Sequence, residues 1–89
     1  MAEITVRPAG QGHFWVRVED GASAPEHDVT VSTEDLERLG AGRPPDAFVR
    51  DCFDFLLERE PKESILRSFD VSVIGRHFPE FEREIVRAR

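Results

Sequence analysis

The side chains able to do chemistry in this chain are few and scattered. The histidines are His13, His27 and His77, and the lone cysteine is Cys52. His13 and His27 could meet on adjacent strands and take a metal with Glu26 or Asp28. A catalytic zinc, however, uses three protein ligands and commonly draws two of them from a short spacing, and no such pair occurs here. Cys52 falls within an apolar stripe, where a thiol stays protonated and inert. Gly10-Gln11-Gly12 begins like a phosphate-cradling loop, but Trp15 stands in the third glycine's place and no helix start follows, which reads as a hairpin turn. Ser23, between Ala22 and Ala24 with Pro25 next, lacks the strand-turn-helix context of a nucleophile elbow. Asp54 lies between Phe53 and Phe55 but on the polar face of its helix. No catalytic, cofactor-binding or metal-binding residue is assigned, no small-molecule ligand is expected, and the chain reads as non-enzymatic.

Interaction is the chemistry that remains. Trp15 and Arg17 alternate with Phe14, Val16 and Val18, so they occupy the opposite face of one strand. Trp and Arg together are favoured interface anchors. Two readings of Trp15 stand open: a ring exposed to a partner, or one packed under the segment 19–27. Phe55 and Phe81 are secondary anchors, because seven Phe rings crowd a core of this size. A protein partner or a homodimer is therefore expected.

Those residues must be positioned by a small fold. With 89 residues the chain reads as one domain, 1–89. A single cysteine allows no internal disulfide. The balance of 18 acidic against 12 basic residues gives a net charge of −6, which disfavours nucleic acid and anionic lipid. The arginine excess, 11 Arg against Lys62 alone, is spread among acids and reads as codon bias rather than a binding patch. No apolar run is long enough to span a membrane. The start, Met1-Ala2-Glu3-Ile4, does not resemble a secretory signal. A cytoplasmic location is expected.

Residues 1–31 read as strands. Ile4 and Val6, then Phe14, Val16 and Val18, then Val29 and Val31 alternate with polar neighbours at period two. Turn formers at 8–12 and 19–21 separate them, giving a three-stranded antiparallel meander. Residues 32–89 read as helical and should cover one face of that sheet, making an α+β domain with three to four helices. Ser32 caps the first helix, with Val31 and Leu36 as a staple and Gly40 as terminator. Asp46 to Arg59 carries the rows Phe48-Cys52-Leu56 and Val49-Phe53-Leu57, a continuous apolar stripe. Lys62 to Phe69 suits a short helix. For residues 70–74 the pattern fits both a strand and a helix capped by Asp70, and the cap favours the helix. Pro79 then opens a final helix at its first position.

Two resemblances follow. Residues 29–60 resemble the ribbon-helix-helix repressors and antitoxins: Val29-Thr30-Val31-Ser32 looks like the ribbon and cap, Glu34 to Leu39 like the first helix, and Ala47 to Leu56 like the second. That likeness implies a dimeric DNA-binding ribbon with Thr30 as its base reader. Pro44-Pro45 stands where the family has a polar cap, and His27-Asp28 stands where basic side chains would be expected. The second half, Phe53 to Pro61 through Ser64-Ile65-Leu66 to Phe78-Pro79-Glu80-Phe81-Glu82, looks like small bacterial proteins that carry no assigned activity. A protein-interaction or regulatory domain is the expected function, with a ribbon-helix-helix DNA binder as the alternative.

Overall fold

The computed structural model describes residues 3–87. Three strands open the chain, β1 (Glu3–Gly10), β2 (His13–Glu19) and β3 (Glu26–Thr30), followed by helices α1 (Thr33–Leu39) and α2 (Pro45–Leu57). A 3-10 turn at Lys62–Ser64, strand β4 (Ser68–Asp70) and helices α3 (Ser72–His77) and α4 (Phe81–Arg87) complete it. The architecture is α+β.

The meander forms as the alternation requires. β1 pairs antiparallel with β2, setting Val6 opposite Val16, and β2 pairs antiparallel with β3, setting Phe14 opposite Val29. The glycine pair makes the first hairpin turn. Gly12 sits at φ 72°, and a Cβ there would press on the Val31 carbonyl at 3.0 Å. That carbonyl belongs to the same residue whose amide donates to the Gly12 oxygen at 2.8 Å, so a side chain would be strained by conformation and crowded by contact.

The sheet differs from expectation in one respect: it has four strands, not three. β4 lies parallel to β3, pairing Val29 with Phe69, in the order β1-β2-β3-β4. The region expected to be wholly helical therefore returns one strand to the sheet. Residues 70–74 divide between the two readings, with Asp70 ending β4 and Ser72 starting α3. Asp70 Oδ2 accepts from the Ser72 amide at 3.0 Å. The expected helix over Lys62–Phe69 shrinks to the 3-10 turn, because Ile65 alone of that segment is buried and no amphipathic stripe forms.

The core lies between the inner sheet face and the helices. Val16, Val18, Val29, Phe48, Val49, Phe53 and Val71 are essentially inaccessible and form one cluster. Helix α2 buries Phe48, Val49, Cys52, Phe53, Phe55 and Leu56, each large apolar side chain worth about 1.5–3 kcal/mol when fully removed from water. Ser32 caps α1 as expected, its Oγ accepting from the Asp35 amide at 3.0 Å. Gly40 caps the end of α1 as expected, its amide donating to the Leu36 carbonyl; it stays right-handed, and Ala41 (φ 52°) and Gly42 (φ 80°) make the reversal. The next residue, Arg43, ties three elements together. It donates to the carbonyls of Gly40, Leu39 and Ile85 at 2.7, 3.0 and 2.6 Å and to Asp51 at 2.7 Å.

Candidate interaction surfaces

Phe55 and Phe81 do not form a surface. Phe81 is 1% exposed and Phe55 6%. They meet edge to face at 5.1 Å, and Phe78 meets Phe55 at 5.8 Å. The Arg59 guanidinium lies 3.6 Å from the Phe55 ring centre and reaches Glu80 and Glu84 at 3.0 Å each. The aromatic surplus is absorbed inside the core, where α2, α3 and α4 converge.

Trp15 and Arg17 do lie on the outer sheet face, both half-buried. Trp15 stands between Arg7 and Asp28 in the strand register. Its indole N–H donates to Glu26 at 3.0 Å, and Arg7 lies 5.7 Å over the ring. Arg17 pairs with Glu19 at 3.2 Å. The diagonal Trp15–Glu26 bond and the overlying cation hold the ring against the sheet, so this face is ordered and mostly self-paired.

The unpaired apolar surface lies elsewhere. A groove of about 340 Å³ opens between the end of α2 and α3, walled by Leu56, Ile65, Leu66, Phe69, Val73 and Phe78. Glu60, Ser64 and His77 form its polar margin. Leu66 is 55% exposed, the largest exposure of any big apolar side chain among the described residues. α2 closes at its cap Glu58, Pro61 opens the 3-10 turn that reverses the chain, and buried Ile65 anchors it. Asp70 then links β3 to α3, taking a bond from Thr30 Oγ1 at 2.7 Å.

The histidine that positions this segment is His27. It is 2% exposed, on the inner face with Val29, and its ring packs 5.3 Å from Phe53. Nδ1 lies 2.8 Å from the Leu66 carbonyl oxygen; since a carbonyl only accepts, Nδ1 carries the proton. Nε2 is buried without a hydrogen-bond partner. The alternation that turns Val29 and Val31 inward also turns residue 27 inward, so the signal for its burial was present in the sequence.

The other chemical candidates do not converge. His13 shares the outer-face rung with Thr30, opposite in direction to His27, and His77 lines the groove. Among the described residues, no group of three His, Cys, Asp or Glu is placed to hold a metal ion. Cys52 is buried, and loss of solvation pushes its thiol far above the ordinary value, leaving almost no thiolate. The ribbon expected at Val29–Thr30 falls in β3, hydrogen-bonded to β2 on one side and β4 on the other. A strand with both edges occupied cannot pair with a second copy in a DNA groove. Among the described residues, no helix is long and apolar enough to cross a membrane. No protein-family model, curated protein or solved structure matches the chain.

Proposed function

We propose that this protein is a non-catalytic interaction module that takes an apolar side chain of a protein partner into the groove beside Leu66. The observation that carries the reading is Leu66 itself, more than half exposed next to a groove with apolar walls. Large apolar side chains cluster at exposed positions where a partner covers them. The groove volume suits one or two such side chains. Its margin carries Glu60, with Glu63 on the adjoining turn, and the chain's net charge is −6. The partner segment is therefore an apolar anchor flanked by Lys or Arg.

The second reading puts the partner on the outer sheet face instead. Trp15 is the observation that favours it, a large aromatic on the sheet face opposite the core. Selection of a random-peptide library on the immobilised protein tests both surfaces. Enriched peptides should share an apolar residue beside a basic one, lose binding to Leu66→Glu and keep it for Trp15→Ala. Peptides that bind Leu66→Glu as well as the parent would overturn the groove reading.

A further inference from the structure

We infer that the protein self-associates through the free edge of β1, pairing antiparallel with β1 of a second copy about a two-fold axis at Thr5. The first strand in the sheet order has a neighbour on one side only among the described residues. The ladder phase shows which groups are free. The Val18 amide donates to Pro25 at 3.0 Å and the Val31 amide to Gly12 at 2.8 Å, so even-numbered residues of β2 face β3. Odd-numbered residues of β2 then face β1 and satisfy Glu3, Thr5 and Arg7, their partners in register. The N–H and C=O groups of Ile4 and Val6 therefore point away from the sheet, toward solvent.

A second copy fits that edge in one register best. Centred on Thr5, Ile4 meets Val6 of the other copy and Val6 meets its Ile4, each pair exchanging two backbone hydrogen bonds. Both side chains point to the inner face, so the half-buried Ile4 gains an apolar neighbour. On the outer face Glu3 lies opposite Arg7 of the other copy, twice by symmetry. Both residues are exposed. Shifting the centre to Val6 sets Ile4 against Pro8, which has no N–H to give. Shifting it to Ile4 leaves Arg7 without Glu3. The opposite sheet edge is a poor competitor. Along β4, the Asp28 amide bonds Arg67 and the Val71 amide bonds Thr30, which leaves outward groups only on Ser68 and Asp70. The pairing therefore closes as a dimer and does not propagate into a filament.

Five residues of edge bury less area than a standard interface, so the association is weak and concentration-dependent. Sedimentation equilibrium from about 10 μM to about 1 mM should show a monomer–dimer equilibrium. Glu3→Arg and Arg7→Glu each oppose like charges across the axis and should each weaken self-association at least tenfold. Mixed together, the two variants regain both ion pairs and should form a heterodimer, read by native mass spectrometry. Ile4→Pro removes a free-edge N–H without touching the β2 ladder and should also abolish dimerisation. A monomer across the whole range, or a dimer unmoved by both charge reversals, would overturn the inference. Neither outcome bears on the groove, which lies at the other end of the sheet order.

Discussion

His27 in the sheet donates from Nδ1 to the carbonyl oxygen of Leu66 across 2.8 Å, joining residues 39 apart in sequence. One end of that bond is buried in the core, and the other fixes the backbone of the most exposed leucine. An apolar side chain held out in water costs free energy, and here the polar bond beneath it keeps the segment from turning inward. The groove and the core are coupled through this contact.

Replacing His27 with Leu keeps the side-chain size close, removes the orphaned Nε2 and deletes the donor to Leu66. A stability loss of about 1–2 kcal/mol is expected from the lost bond, offset in part by removing the unsatisfied nitrogen. Hydrogen exchange should quicken at Ile65–Phe69 more than in α2. Urea unfolding and amide exchange unchanged from the parent would show that the bond does not hold the segment.

Arg43 joins the end of α1 to α2 and α4 through four hydrogen bonds and lies 5.5 Å from the Phe48 ring centre. Arg43→Met should cost about 2–3 kcal/mol, because buried carbonyls of Leu39 and Ile85 lose a charged donor. Arg43→Lys should recover little, since an ammonium cannot reach the same fork of acceptors. Thermal unfolding of the two variants checks this, and full rescue by lysine would contradict it.

Acid should destabilise the fold through specific carboxylates. Burial pushes the Asp70 carboxyl up, but hydrogen bonds from Ser72 and Thr30 outweigh it and hold it below the ordinary aspartate value. Glu82, bonded to Arg38, and Glu80, held by its own backbone amide and by Arg59, shift the same way. A lowered carboxylate stabilises the fold above its unfolded value near 4. That stabilisation is lost as the pH falls through the folded value. Asp70→Asn should therefore cost about 1–2 kcal/mol at pH 7 and progressively less as the pH falls through the folded value. Asp54 works in the opposite sense. Partial burial, then Asp51 and Glu58, raise it, so Asp54→Asn should raise stability at pH 7 by up to about 0.5 kcal/mol.

The Cys52 thiol should resist an aromatic disulfide reagent in the native protein and react fully once urea unfolds the chain. Burial keeps it protonated and covered. Fast labelling without denaturant would show a core more open than the packing around Phe48 and Phe53 allows.

The elements that rest on local pattern were legible from the residues. The rows Phe48-Cys52-Leu56 and Val49-Phe53 give α2, Ser32 gives the start of α1, and the period-two runs give β1 to β3. What was hidden depends on partners distant in sequence. The pattern leaves residues 70–74 open between strand and helix; the strand forms at Ser68–Asp70 because β3 offers a parallel edge there. His27 and Arg43 read as surface residues by type, and only the assembled fold supplies the Leu66 and Ile85 carbonyls they bond. The Phe55 and Phe81 rings looked too many for the core because pairwise edge-to-face packing cannot be counted from composition. Trp15 and Arg17 were placed on the outer face by alternation, while Leu66, flanked by Ile65, carries no local sign of exposure.

The groove claim is met most directly by titrating a peptide selected on this protein into the isotopically labelled chain and following backbone amide resonances. Binding in the groove predicts that the largest shifts fall between Ser64 and Phe78, with Leu56 and Glu60, and that Leu66→Glu abolishes them. Shifts centred on Arg7, Trp15 and Arg17 instead, unaffected by that substitution, would contradict it.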